Sequence, residues 1–181
     1  MIIRQAEEKD INEILGLFEK LQINLNYSDN KPGFFKYSKS YEELKNFLNP
    51  YFFVAENQGK VKGFNLACSV SFLKNNFSNT SSLEKKFILK NVQGNYVYVD
   101  SFAVEDYSKL ISGRVAEKLF NNLMNLSKKR NVSKLIGCVC HEPYYNSRSA
   151  NCLVNNGFKL TNEIKIEDNI LLGLYQKFLK K

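Results

Sequence analysis

The sequence predicts one α/β domain with strands running in both directions, and three observations support this fold class. Strand-like and helix-like segments follow in the order β-α-α-β-β-β-α-β-α-β-β over residues 1–181. Two pairs of strands, near residues 51–72 and 158–178, are each joined by a turn, as in antiparallel hairpins. Two further strands, 97–104 and 135–140, are separated by a helix, as parallel neighbours must be. The chain is long enough for one such domain and too short for two.

The first part of the chain predicts a strand and two helices. Residues 2–6 form the strand, and Asp10 is placed to be the N-cap of a helix that continues to Leu21. Ser40-Tyr41-Glu42-Glu43 has the pattern of a capping box and predicts a second helix, to about Leu48.

A hairpin and an interruption follow. Residues 51–55 predict a strand, Asn57-Gln58-Gly59 supplies a turn, and residues 61–72 predict the returning strand. Residues 73–93 are rich in Lys, Asn and Ser, so we expect an exposed insertion with room for a short helix. Residues 25–39, between the first two helices, are expected to form a loop or a broken helix.

The second half contains the central strands. Residues 97–104 are the clearest strand in the chain, and residues 135–140 are continuous in apolar residues, which is typical of a central strand. A helix near residues 114–129 joins them and should make them parallel. A short helix over residues 147–154 ends at Asn156-Gly157, a C-cap signal, before the last hairpin.

Composition restricts the function classes. Lys and Arg outnumber Asp and Glu by 26 to 18, and the net charge of +8 favours an anionic partner such as a phosphorylated cofactor. The sequence lacks the patterns of nucleic-acid modules, so no nucleic-acid partner is expected. It also lacks an apolar run long enough for a bilayer and a signal-peptide core, which predicts a cytoplasmic protein without a membrane partner.

Cysteine spacing argues against a metal site. Cys68, Cys138, Cys140 and Cys152 have no Cys-x-x-Cys spacing, and His141 is the single histidine. We therefore expect no metal and four reduced thiols that pack as small apolar side chains.

Three segments contain more specific motifs. Residues 3–11 (IRQAEEKDI) have the form I-R-x-A-x-x-x-D, and residues 100–104 (DSFAV) are followed after a loop by residues 112–116 (SGRVA). Asn146, Ser149, Gly157 and Phe158 stand at the spacing N-x-x-A/S-x-x-x-Y-x-x-x-G-F. In this order the motifs resemble those of the GNAT superfamily of N-acetyltransferases, over nearly the whole chain.

The resemblance implies a fold and an activity. The fold would be a mixed, mostly antiparallel sheet of about seven strands, with a central splayed parallel pair and flanking helices. The activity would be direct transfer of an acetyl group from the thioester of acetyl-CoA, or of another acyl-CoA, to a primary amine of a small molecule or peptide. No metal is implied, and a homodimer stays open.

The resemblance also implies where the cofactor binds. In the family, small residues in the loop before a helix let backbone N–H groups reach the phosphates. Here Ile111 and Arg114 replace the usual Arg/Gln and central Gly, and the phosphates are expected at residues 109–116. The cofactor-binding residues implied are Phe102, Ala103 and Val104 through their backbone, with Lys109, Ser112, Gly113, Arg114, Val115, Ala116, Asn146 and Ser149.

The set of catalytic residues that the resemblance implies lacks one member. Leu153 stands where the family has a tyrosine that protonates the departing thiolate, and leucine cannot donate a proton. Tyr144 and Tyr145 are candidate substitutes; alternatively, solvent donates the proton, or the chain has lost catalysis. Asp100 is the candidate base, because a cationic amine must lose a proton before it attacks.

The acceptor and two rival functions stay open. In the family, the loop between the first two helices helps to build the acceptor pocket, so Tyr27, Phe34, Phe35 and Tyr37 are expected at the substrate or in a packed lid. A CoA-binding regulatory or interaction domain with little turnover is the main alternative, favoured by Leu153 and the altered phosphate loop. Nucleic-acid binding is supported by charge alone.

Overall fold

The computed structural model describes residues 1–21, 39–77, 82–105, 109–167 and 170–179. Within these ranges the chain forms seven strands and six α-helices. The strands are β1 (Ile2–Gln5), β2 (Phe53–Asn57), β3 (Lys60–Ser69), β4 (Tyr96–Val104), β5 (Lys134–Glu142), β6 (Lys159–Glu167) and β7 (Ile170–Phe178). The helices are α1 (Ile11–Leu21), α2 (Tyr41–Asn46), α3 (Val70–Phe77), α4 (Leu83–Asn91), α5 (Lys109–Lys129) and α6 (Ser147–Asn155).

All seven strands belong to one sheet in the order β1-β2-β3-β4-β5-β7-β6. Every neighbouring pair is antiparallel except β4 and β5, which are parallel and are joined by α5. This confirms the predicted mixed, mostly antiparallel sheet with its central parallel pair.

Both faces of the sheet are covered by helices. On one face α1 to α4 pack over residues that include Phe18, Phe52 and Phe64. On the other face α5 and α6 cover a second apolar cluster, with Leu119 and Phe158 among its members. Side chains alternate between the two faces along each strand, so β4 contributes to both clusters. Within the described ranges, no helix combines the length and apolar character needed to cross a bilayer.

The short helix expected within residues 73–93 is confirmed as α4, but the prediction that this segment is an exposed insertion is wrong. The returning strand ends at Ser69, whose hydroxyl accepts a hydrogen bond from the N–H of Phe72 (3.2 Å) at the start of α3. Both α3 and α4 then pack on the sheet, with Leu73 and Ile88 completely buried. The Lys and Asn residues that made the segment look exposed alternate with apolar residues at helical spacing.

The first two helices begin differently. Asp10 ends a short 3₁₀ turn ahead of α1, and its carboxylate accepts hydrogen bonds from the N–H of Glu7 (2.8 Å) and from Arg4 (2.7 Å), so its prediction as an N-cap is wrong. The capping box of α2 is confirmed, since Ser40 and Glu43 exchange hydrogen bonds of 3.2 and 2.7 Å. Apart from residue 39, the predicted loop 25–39 lies outside the described residues.

Candidate active site

The two parallel strands pair over four residues each and then separate. Pairing runs from Tyr96 with Lys134 to Val99 with Gly137. Directly after Val99, β4 contains a β-bulge against β3. Val99 lies opposite Ala67 and Ser101 lies opposite Leu66, so no residue of β3 lies opposite Asp100. A bulge bends its strand, and the far ends of β4 and β5 therefore leave a gap in the sheet.

Beyond Val99, the edge of β4 that faces this gap has no strand partner within the described ranges. The N–H of Glu105 donates to the carbonyl of Lys62 (2.8 Å), and therefore points to β3. Because successive residues of a strand direct their N–H groups to opposite sides, Ala103 also faces β3, whereas Phe102 and Val104 face the gap. Two backbone N–H groups, those of Phe102 and Val104, therefore point into the gap.

A cavity of about 190 Å³ occupies the gap. It extends from α4 on one face of the sheet to α5 and α6 on the other. Its walls are Glu84; Val99, Asp100, Ser101 and Phe102 of β4; Phe120; Gly137, Cys138, Val139 and Cys140 of β5; Asn146, Ser149, Cys152 and Leu153; and Ile166, Ile170 and Leu172 of the last hairpin.

On the α6 side the cavity wall is fixed by Asn146. This buried residue caps α6, its side-chain oxygen accepting the N–H of Ser149 (3.1 Å), while its own N–H donates to the carbonyl of Cys140 (3.0 Å). The two bonds hold the start of α6 against β5 and direct Ser149 and Leu153 toward the cavity.

On the α4 side the cavity borders a buried ion cluster, formed by Lys39, Glu84, Lys85 and Asp100. The carboxylate of Asp100 lies 2.9 Å from the ammonium of Lys39 and 3.1 Å from that of Lys85. The Ser101 hydroxyl donates to the same carboxylate (2.9 Å). Burial alone would raise the pKa of Asp100, but the two ammonium groups and this hydroxyl hold it well below its ordinary value.

Glu84 lies in a different environment within the same cluster. Its carboxylate accepts hydrogen bonds from the Tyr98 hydroxyl and the Cys138 thiol. Burial raises its pKa above the ordinary value, and these two bonds offset that effect in part. Glu84 and Asp100 are therefore two carboxyl groups on one cavity whose pKa values are shifted in opposite directions.

Aromatic rings enclose the cationic part of the cluster. The ammonium of Lys85 lies 4.1 Å from the ring centroid of Phe77 and 5.8 Å from that of Phe47. A cation near the face of an aromatic ring is attracted to the ring electrons. The insertion between β3 and β4 thus provides Glu84, Lys85 and the ring of Phe77.

The architecture matches solved N-acetyltransferase structures over nearly the whole chain. An N-acetyltransferase from Staphylococcus aureus Mu50 aligns with a TM-score of 0.64 and 18% identity, covering 99% of this chain and 98% of that chain. A ribosomal-protein-alanine N-acetyltransferase from Brucella melitensis gives 0.63 and 19%, with 99% and 100% covered. Naa20 from Chaetomium thermophilum, in complex with a bisubstrate analogue, gives 0.68 and 13%, with 99% and 87% covered.

The chain has the GNAT fold. No family model and no curated protein matches its sequence. The fold is therefore shared while the sequence has diverged far.

Within the GNAT fold, the residues predicted to bind phosphate occupy helix rather than loop. Because α5 begins at Lys109, residues 109–116 form its first two turns, and the prediction of a loop there is wrong. Gly113 and Arg114 are exposed, Ala116 is partly buried, and Val115 packs completely into the core below α5. The side chains of Lys109 and Ser112 lie outside the described part of the structure.

The predicted catalytic residues are not gathered at one point. Asp100, Asn146, Ser149 and Phe102 all line the cavity, as does Leu153 at the tyrosine position. Tyr144 and Tyr145 are not among the lining residues, and Tyr145 is 54% exposed with its ring against His141 (centroids 5.2 Å apart). Their roles stay predictions.

Some predicted site residues fall outside the described ranges, and the sequence did not point to others. Tyr27, Phe34, Phe35 and Tyr37, predicted at the acceptor, are not among the described residues. Sequence reasoning missed Glu84 and three cavity-lining cysteines, which are Cys138, Cys140 and Cys152. A signal for α4 was present, because Ser82 has the N-cap position and accepts the N–H of Lys85 (3.4 Å).

Proposed function

We propose that the chain is an acetyl-CoA-dependent N-acetyltransferase that moves the acetyl group directly from the thioester to a primary amine of a small molecule or peptide. The observation that supports this most is the cavity in the gap between β4 and β5. It lies beside the edge of β4 that has no β5 partner after Val99 and reaches Glu84 on the α4 side. Transfer between two substrates needs such a shared space.

The residues around the gap fit the co-substrate. Backbone N–H groups need partners, and the inward-facing donors of Phe102 and Val104 suit the amide carbonyls of a pantetheine arm. Asn146 and Ser149 line the cavity from α6, where they would border the same arm. The N-terminus of α5, with Arg114 nearby, suits the phosphates of the co-substrate. Bound acetyl-CoA would supply an acetyl group activated as a thioester. The same backbone donors would polarise its carbonyl.

The opposite side of the cavity fits an amine. The carboxyl group of Glu84 lies on its polar wall there, and a carboxylate attracts a protonated amine. Two of the similar structures are described as a ribosomal-protein-alanine N-acetyltransferase and an agmatine N-acetyltransferase. An amine acceptor is consistent with both descriptions.

A second function is favoured by one observation. Leu153 lines the cavity at the position where the family resemblance places a proton-donating tyrosine. A domain that binds CoA and regulates or recruits a partner, with little or no turnover, needs no such donor.

One assay separates the two functions. Acetyl-CoA is incubated with the protein and a panel of small amines and short peptides, and release of free CoA thiol is followed while acetylated product is identified by mass spectrometry. The enzyme releases thiol in step with acetyl-amine. Calorimetric binding of acetyl-CoA with thiol release no faster than in its absence would support the binding domain, and absence of binding would contradict both functions.

A further inference from the structure

We propose that Glu84, on the helical insertion between β3 and β4, is the catalytic residue that takes the proton from the acceptor amine. This role rests on the proposed acetyl transfer. Among the described residues that line the cavity, Glu84 and Asp100 are the two with carboxyl groups. The ion-pair and hydrogen-bond partners of the two carboxyl groups differ, and so do the roles that we infer for them.

Asp100 is held as a structural anion. Two ammonium groups and one hydroxyl occupy its oxygens at 2.9 to 3.1 Å. Its side chain is 6% exposed, so water cannot replace these partners. A carboxylate in this position gains little by accepting a proton, because protonation would remove its attraction to the ammonium groups of Lys39 and Lys85. Its pKa, well below the ordinary value, agrees with this geometry.

Glu84 has the opposite character. Its hydrogen bonds come from neutral donors, the hydroxyl of Tyr98 and the thiol of Cys138, while Lys39 and Lys85 direct their ammonium groups at Asp100. Burial raises the pKa of Glu84, and the charge of Asp100 raises it further, whereas Tyr98, Cys138 and Lys85 lower it. A raised carboxyl pKa is what a base working near neutral pH needs.

Tyr98 is a positioning residue for this base. It is buried on β4, and burial together with the nearby Glu84 charge raises the pKa of its phenol well above the ordinary value. The hydroxyl therefore remains protonated and continues to donate to Glu84. The bond fixes the Oε1 atom of Glu84 at the cavity wall.

The proton balance is simple. Glu84 takes one proton from the ammonium form of the acceptor, giving a neutral amine and a carboxylic acid. The amine nitrogen forms the new C–N bond while the C–S bond breaks, and its second proton ends on the departing sulfur. The proton held by Glu84 is then released to solvent, which restores the carboxylate.

The test compares two acceptors in Glu84→Gln. An alkylamine is largely protonated at neutral pH and needs the base, whereas a weakly basic amine such as an aniline is already neutral. We expect kcat/KM for the alkylamine to fall by about 10²–10⁴-fold, with a much smaller fall for the aniline and unchanged calorimetric affinity for acetyl-CoA. Lys86→Gln, an exposed change on the same helix, is the control and should leave both rates unchanged.

A second variant tests the pH dependence and covers the case in which Glu84→Gln does not fold. Tyr98→Phe removes a hydrogen bond that lowers the pKa of Glu84, so the acidic limb of the kcat/KM profile should move to higher pH. A merely structural role of Glu84 would not shift that limb.

The outcomes separate the two proposals. A wild-type protein that acetylates amines, together with a Glu84→Gln variant that keeps its rate or loses it equally for both amines, contradicts the role of Glu84 alone. An unshifted acidic limb in Tyr98→Phe contradicts it in the same way. A wild-type protein that acetylates no amine contradicts the proposed function and, with it, the base.

Discussion

The side chain of Leu153 packs directly over Gly137. A Cβ atom added at Gly137 would lie 3.4 Å from one terminal methyl group of Leu153. Gly137 is also the last residue of β5 paired with β4. Leu153 therefore closes the α6 side of the cavity at the point where the two strands separate.

This contact makes Leu153→Tyr the direct test of the missing acid. If the thioester sulfur binds near Leu153, a phenol there should donate a proton and raise thiol release with a permissive amine. The larger ring has to fit against Gly137, and overpacking would cost about 1–3 kcal/mol of stability. Leu153→Phe is the matched control, with the ring but without the hydroxyl. Equal rates for the two variants would show that no acid is needed at this position.

The two tyrosines before α6 are tested in the same assay. If Tyr144 or Tyr145 already supplies the proton, its change to Phe should slow the wild-type protein, and Leu153→Tyr should add little. Since Tyr145 is largely exposed against His141, its change to Phe should leave the melting temperature nearly unaltered. Unchanged thiol release in both Phe variants would eliminate these residues as acids.

The start of α5 is predicted to hold the phosphates. Lys109→Ala with Arg114→Ala should weaken acetyl-CoA binding by about tenfold at low salt and flatten its salt dependence, because two cations are removed. Lys118→Ala, an exposed change further along α5, is the control. Affinity unchanged at low and high salt would mean that the phosphates bind elsewhere.

Protection of the cavity cysteines from alkylation can show where the co-substrate binds. Burial raises the pKa of Cys152 to about 11, so its alkylation by a maleimide should be slow but measurable by mass spectrometry. Saturating acetyl-CoA should slow the modification of Cys140 and Cys152, which line the cavity. Cys68 is completely buried and should stay unmodified in both conditions. Equal rates with and without acetyl-CoA would place the ligand outside this cavity.

Asp10 should contribute stability that depends on pH. Burial would raise the pKa of Asp10, but hydrogen bonds from Arg4 and from the N–H of Glu7 hold it below its ordinary value. Its contribution is therefore complete above about pH 4, where the unfolded chain is ionised, and is lost as the pH falls through the lower folded pKa.

Thermal melting checks this expectation. Asp10→Asn should lower the free energy of unfolding by about 1–3 kcal/mol at neutral pH, because charged hydrogen bonds are lost. The difference from wild type should shrink in acid. Glu7→Gln, which removes an exposed ion pair with Lys9, should have little effect. A difference that stays constant with pH would contradict the pKa shift of Asp10.

Much of the fold could be predicted because local signals agreed with tertiary packing. The capping box at Ser40 and the apolar central strands both fit their surroundings, so periodicity placed them correctly. The prediction that residues 73–93 are exposed failed because Lys and Asn dominate their composition. Their packing depends on a few apolar contacts, such as those of Leu73. Periodicity also placed the start of α5 too late, near residue 114 rather than at Lys109.

The site was harder to predict than the fold. Asn146 and Ser149 could be assigned to the cavity wall because their spacing follows a family motif. The environment of Glu84 could not be predicted, because it depends on Tyr98 and Cys138. These residues are distant in sequence and contact Glu84 only in the folded protein. The bulge at Asp100 likewise depends on pairing with β3.

The central claim is that acetyl-CoA binds in the gap between β4 and β5, and calorimetric titration of a blocked variant tests it most directly. Ser149→Trp places a large ring in the cavity wall, whereas Val154→Trp places the same ring on the outer surface of α6, where Val154 is 52% exposed. We expect wild type and Val154→Trp to bind acetyl-CoA with a dissociation constant below about 1 mM, and Ser149→Trp to lose binding. Equal affinity in all three proteins, or no binding by wild type, would contradict the claim.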